Sequence, residues 1–234
     1  MILNEIIEEL SFILKQRRVV NMCVGIAYTA VMLDDGSLGV SHTIPEGSSK
    51  YCGEIISTNP YEVVKDIETP LSRSIALAIL NAIKLSERFE RGDILTQYSG
   101  NKLCVFGFSP NVNVQNFSSI IIYDFYNPQY LQRGKIQVKP FNSFTSERCD
   151  VAAIFGSALI NSTIDYIVNN TSTDHLLLVG ISSVYAPKTL KSHGFEAVER
   201  LEFIDKYKVF RAICEGATAR DINKYVVRTF KRLE

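Results

Sequence analysis

Residues 151–161 read Val-Ala-Ala-Ile-Phe-Gly-Ser-Ala-Leu-Ile-Asn, a short apolar run that stops at a glycine and restarts in helix-forming residues. An apolar run of this length, bounded by a turn signal, is the pattern of a strand covered on both faces, as in parallel sheets. The same grammar recurs at residues 103–106, 120–123 and 176–179. Helical patterns follow two of these runs, over 158–168 and over 187–191. Pro187 suits a first helical turn and Gly194 a helix end. Strands alternating with helices predict an α/β fold with a mainly parallel, doubly wound sheet and right-handed crossovers.

The N-terminal part follows different rules. Leu3, Ile6, Ile7, Leu10, Ile13 and Leu14 recur at three- and four-residue spacing, which predicts a helix ending near Arg17. From Val19 the period becomes two. Val20, Met22, Val24, Ile26, Tyr28, Ala30 and Met32 then share one face of a single long half-buried strand. Asp35-Gly36 supplies a hairpin turn, and residues 38–44 form the return strand. The Gly-, Ser- and Pro-containing segment 45–59 reads as a loop at the hairpin tip. Thr69-Pro70 opens a helix with a side-chain cap and a first-turn proline; Leu71, Ile75, Ile79, Ala82 and Ile83 mark its buried face. The expectation is a small α+β domain over residues 1–92 and a second domain over 93–234, with the crossing at Arg91-Gly92-Asp93.

Composition narrows the function classes. With 25 basic and 25 acidic side chains among 234 residues, net charge gives no pull toward nucleic acid or an anionic membrane surface. The basic residues between Lys224 and Arg232 read as a solvated terminal helix or tail. No uncharged apolar stretch approaches the roughly 18 residues of a membrane span, and the acidic start of the chain is unlike a secretory signal. Five scattered cysteines fit a reducing compartment better than a disulfide framework, which makes a cytoplasmic location the expectation. Nothing opposes assembly into a homo-oligomer.

In an open parallel sheet, ligands bind beyond the carboxyl ends of the strands. That rule selects Gly107 and Ser109, Asp124, Gly156 and Ser157, and Gly180 and Ser182 as walls of a ligand cleft. Ser157 stands where it could cap a helix, or where unpaired amides could receive an anion. Asn161, four residues on, would share its helix face. Asp124, one residue past the second apolar run, stands where an acid can hold a ribose hydroxyl. The Gly-x-Gly-x-x-Gly and Gly-Lys-Ser/Thr fingerprints are both missing, which weighs against a standard dehydrogenase or kinase. For metal ligation only His42 and Cys52, with Glu54, could converge, at the hairpin tip, because no Cys-x-x-Cys or His-Glu-x-x-His spacing occurs. Glu54 is the one acid/base candidate. Cys23 and Cys104 read as small buried residues within strands, and no residue stands out as a covalent nucleophile.

Several segments together resemble the heavy-metal chelation family, whose members pair an enolase-N-terminal-like domain with a Rossmann-like domain. They are Gly25-Ile26-Ala27-Tyr28-Thr29-Ala30, Asn81-Ala82, Phe106-Gly107-Phe108-Ser109-Pro110, Gly156-Ser157-Ala158-Leu159-Ile160-Asn161-Ser162-Thr163, Leu178-Val179-Gly180 and Glu215-Gly216. The chain departs from the family's pattern at Ile181 and Ala217. The resemblance implies a cleft between the two domains, with Thr29 of the first domain on its wall. It also implies a transition metal or a metal chelate, of tetrapyrrole or cobalamin type, as cofactor or ligand.

The function expected on these grounds is binding, or turnover, of a small anionic molecule or metal chelate in the interdomain cleft, with no nucleic-acid or membrane partner. Two alternatives stay open. One is a non-catalytic scaffold or regulatory subunit, and the other a transferase using S-adenosylmethionine or a nucleotide.

Overall fold

A computed structural model of the protein describes residues 1–84, 86–107, 113–125 and 131–233. Helix α1 (Ile2–Leu14) buries Ile2, Leu3, Ile6, Ile7, Leu10 and Leu14 on one stripe, as the spacing requires. Strands β1 (Val19–Val24), β2 (Tyr28–Leu33) and β3 (Leu38–His42) form an antiparallel meander. The single strand expected from Val19 to Met32 is thus two. The chain reverses at Gly25, whose N–H donates to the Tyr28 carbonyl at 2.9 Å. A side chain on Gly25 would meet the Ile213 carbonyl oxygen at 2.3 Å, so only glycine permits this turn.

The short helix α2 (Pro60–Val64) is capped by Asn59. Helix α3 (Pro70–Asn81) opens with a reciprocal cap between Thr69 and Ser72 and Pro70 in its first turn, as the sequence predicts. It lies directly on β3: a Cβ on Gly39 would come within 2.0 Å of the Ala78 carbonyl oxygen.

The rest builds the large sheet. In chain order it comprises β4 (Glu90–Arg91), β5 (Gly100–Phe106), β6 (Phe117–Asp124), β7 (Leu131–Arg133), β8 (Ile136–Pro140), β9 (Glu147–Phe155), helices α4 (Ser157–Ile160) and α5 (Ile164–Asn170), β10 (Thr171–Val179), α6 (Pro187–Ser192), β11 (Phe195–Phe203), α7 (Lys206–Cys214), α8 (Ala219–Ile222) and β12 (Val226–Arg232). The nine strands lie in the order β4-β12-β11-β10-β9-β5-β6-β8-β7. From β8 to β11 every neighbouring pair is parallel, while β4, β12 and β7 join antiparallel at the two edges. Numbered by appearance, the six parallel strands run 3-2-1-4-5-6, so the direction of winding reverses between β5 and β9.

Alternate residues of the strands feed two cores. Phe106, Tyr123, Ile154 and Leu178 face α3 to α6, whereas Val105, Ile122, Ala153 and Leu177 face Ile94, Leu95 and Tyr98 around a 3-10 turn at Ile94–Gln97. The small sheet is covered on its other side by α7 and α8: Val209, Ile213 and Ile222 pack on Tyr28, Ala30, Met32 and Val40. Elements from the C-terminal part of the chain therefore clamp the N-terminal sheet.

Three expectations are corrected. The helix read over 158–168 breaks at 161–163, where Ser162 adopts φ +59° and the Asn161 carboxamide oxygen accepts from the Thr163 hydroxyl at 2.6 Å. The basic stretch 224–232 is largely β12, paired along β11, and no solvated tail. Cys104 and Cys149, on β5 and β9, form a disulfide with Cα atoms 6.0 Å apart. Cys23, Cys52 and Cys214 are free, and no helix among the described residues is long and apolar enough to cross a membrane.

Candidate functional site

A cavity of about 280 Å³ opens where the ends of β5, β6, β9 and β10 meet the small sheet. Its position is the one that the reversal of winding between β5 and β9 dictates. Glycines let the backbone crowd here. Gly107 and Gly180 hold φ +108° and +89°, and the Phe155 ring lies between them; a Cβ would meet the ring at 3.2 Å from Gly107 and 2.7 Å from Gly180. Gly156 sits against Ser182, whose carbonyl carbon would lie 2.2 Å from a Cβ. The three positions therefore fix where the strand-end loops run.

The small sheet docks on this edge through polar contacts. Ser182 Oγ accepts the His42 backbone N–H at 2.8 Å, and the Asn81 amide donates to the carbonyls of Val40 at 3.1 Å and Ile181 at 3.3 Å. The His42 ring meets Tyr28 edge-on at 5.8 Å and faces the cavity, and burial pushes its pKa down, so it is neutral at neutral pH.

Of the residues that the sequence singles out, His42, Gly107, Asp124, Gly156, Ser157, Asn161, Gly180 and Ser182 line this cavity together. Asp124 is the buried last residue of β6, the second parallel strand. Ser157 is the first residue of α4 and does not cap it; Gly156 holds the cap position without a side-chain bond, because the helix starts one residue earlier than the sequence suggests. Thr29 does not line the cavity: it is fully buried, with its hydroxyl 2.9 Å from that of Thr43. Cys52 and Glu54 do not join His42. Their segment forms exposed turns held down by Asp66, which accepts from Ser49 Oγ at 2.7 Å and Lys50 N at 2.9 Å. Ser109 lies outside the described residues.

Three charged residues that sequence reasoning missed line the same cavity: Asp93, Glu199 and Arg228. Glu199 is a buried carboxyl on β11 whose Oε2 accepts the Gly180 amide at 2.7 Å. Among the described residues its Oε1 has no hydrogen-bond partner; Arg228 Nε lies 3.7 Å away, an ion-pair contact too long for a hydrogen bond. Burial drives the Glu199 pKa upward, against the pull of Arg228 and the Gly180 amide. Asp93 fixes the guanidinium: Oδ2 accepts from Arg228 Nη1 at 2.9 Å while Oδ1 accepts from Leu95 N at 3.0 Å. The available signal was the alternation Phe195-Glu196-Ala197-Val198-Glu199-Arg200-Leu201-Glu202-Phe203, a strand pattern with an acid at an inward position.

The donor set does not make a metal centre. Among the described residues no three His, Cys, Asp or Glu side chains converge as a metal would require. The carboxylate of Asp93 and one oxygen of Glu199 are already committed to protein donors. A sulfur nucleophile fares no better: Cys23, on β1, has its thiol pushed up to about 12 by burial and by Cys214.

Comparison with known proteins agrees with this architecture. A family model described as "Putative heavy-metal chelation" (DUF364) matches residues 92–232, and a second of the same description (DUF4213) matches residues 7–84. No curated protein matches the chain. Two solved structures of DUF364 proteins with unknown function share the fold at 16% identity. That from Desulfitobacterium hafniense DCB-2 has a TM-score of 0.78, with 99% of this chain and 98% of that one covered; that from Pyrococcus horikoshii has 0.75, with 99% and 100% covered. With the model spanning most of the chain and the fold shared end to end, the protein belongs to the DUF364 family.

Proposed function

We propose that this chain binds a small polar molecule, a metal chelate or a related anionic metabolite, in the cleft between its two sheets. The observation that carries the reading is the convergence of four strand ends, at Gly107, Asp124, Gly156 and Gly180, on one cavity at the reversal of winding. In this reading residues 1–92 act as an enolase-N-terminal-like domain and 93–234 as a Rossmann-like one. Ser157, Asn161 and Ser182 supply polar contacts to the ligand. Because no ligand set assembles among the described residues, the metal in this reading arrives inside its chelate and the protein recognises the organic frame. The size of the cavity suits a small chelate or one edge of a macrocycle.

Equilibrium dialysis separates the possibilities. Protein with its Cys104–Cys149 disulfide intact is dialysed against cobalt, nickel, zinc and iron salts, and in parallel against exchange-inert cobalt(III) chelates, a corrinoid and a polycarboxylate complex. The expected result is saturable retention of a chelate and no stoichiometric retention of free ions. One free ion per chain that is lost in His42→Ala or Cys52→Ser would overturn the reading and make the protein itself the chelator.

A second reading is favoured by one observation. Asp124 ends the second strand of a 3-2-1-4-5-6 sheet, the place from which an acid holds a ribose diol. Binding of S-adenosylmethionine that is lost in Asp124→Ala would make that transferase-type reading the better one.

A further inference from the structure

The Glu199 end of the cleft differs from the rest in its hydrogen-bonding capacity. Glu199 is 4% exposed and packs where β11 passes Gly180, whose amide N–H it accepts. The charged and polar groups that face it are the Gly180 amide from β10, Arg228 from β12, and Asp93 from the turn that precedes β5. Gly180 N–H is spent on Oε2, and Oε2 is thereby fixed as an acceptor. A proton on this carboxyl then sits on Oε1, the oxygen with no partner. Asp93, the only other acid of the group, has both oxygens occupied, one by Leu95 N and one by Arg228. With that proton in place, what remains unspent at this end among the described residues is donor capacity, an O–H on Glu199 and guanidinium N–H on Arg228. A buried polar atom left without a partner is destabilising, and the group that satisfies a protonated Oε1 is an acceptor.

We propose that Glu199 and Arg228 form a subsite that receives an acceptor oxygen of the ligand, a carboxylate or a carbonyl, with the Glu199 carboxyl as hydrogen-bond donor through Oε1. The proposal rests on the cleft being the binding site and specifies the part of the ligand that enters at β11. Burial raises the carboxyl's pKa, against the pull of Arg228 and the Gly180 amide, and so favours its protonated, hydrogen-donating form. Asp93 is a positioning residue: it holds the guanidinium beside Glu199.

The test follows the carboxyl directly. Protein labelled with 13C at the glutamate Cδ is titrated with pH, and the Glu199 line is assigned by its absence in Glu199→Gln. Acetate and acetamide then serve as carboxylate and carbonyl probes. The expected result is a Glu199 line that keeps its acid form at pH values where the exposed glutamates have ionised, and that shifts saturably with one probe or both. A response to acetate alone assigns a carboxylate, and a response to acetamide alone a carbonyl. A Glu199 line that ionises with the exposed glutamates, or that neither probe moves, overturns the proposal. The amides of Gly107 and Gly156 keep that failure separate from failure of the cleft reading. If a cobalt(III) chelate moves these amides while Glu199 stays silent, the subsite is wrong and the cleft stands; if nothing moves, both fall.

Discussion

Glu54 and Glu199 are equally plain glutamates in the sequence, and the fold separates them by burial. Glu54 sits in an exposed turn, whereas Glu199 is carried inward by β11 against the Gly180 amide. The consequence is a pH dependence of stability with a definite sign. A carboxyl whose pKa is raised by folding stabilises fully below its unfolded value, near 4.3, and loses that contribution as pH climbs through the folded value. Glu199→Gln keeps an acceptor for Gly180 and cannot ionise. Thermal melts should therefore show wild type and variant close together at pH 4, with the gap widening in favour of the variant toward pH 8. Each kcal/mol should appear as about 2–4 °C. A gap that is constant over this range would mean that Glu199 ionises normally. At this scale the sequence was informative where chemistry is local. Glycines at strand ends and an aspartate one residue past an apolar run mark Gly107, Gly156, Gly180 and Asp124 without any structure. Glu199 and Arg228 escaped because their meaning arises from two strands far apart in the chain, and Thr29 misled because a polar side chain inside a strand can be satisfied by another, here Thr43.

Elements announced themselves where caps and breakers coincide with periodicity. Thr69-Pro70 fixed the start of α3, and the apolar runs located β5, β6, β9 and β10, although each strand extends several polar residues ahead of its run. Two tight reversals were invisible, since neither the turn at Gly25 nor the αL residue Ser162 interrupts the hydrophobic period. The late strands β11 and β12 were hidden by their charge, which edge-side positions of a sheet tolerate and core strands do not. The tightest joint between elements is that of α3 on β3, where Gly39 brings backbone to backbone. Gly39→Ala should force the two apart and lower stability by about 1–3 kcal/mol, the usual cost of overpacking. Denaturant unfolding measures it, and a variant within about 0.5 kcal/mol of wild type would show that this contact is looser than drawn.

At the scale of the whole molecule, the strand order was beyond reach of periodicity, because which strands become neighbours depends on pairings between residues far apart in sequence. Order is nonetheless what creates the site. The reversal between β5 and β9 leaves their carboxyl ends uncovered by crossovers, and the small sheet, clamped between α3 and α7, closes over the gap through His42, Asn81 and Ser182. The rim offers a way to test this arrangement without touching its core: Ala219 and Asn223 are exposed at the cavity mouth. Isothermal titration of wild type and Ala219→Trp with the best-retained chelate from dialysis is the most direct measurement of the central claim. The account predicts saturable binding near one ligand per chain in wild type, reduced at least tenfold in the variant while its melting temperature is unchanged. Equal affinity in the two proteins would contradict it and place the ligand elsewhere on the molecule.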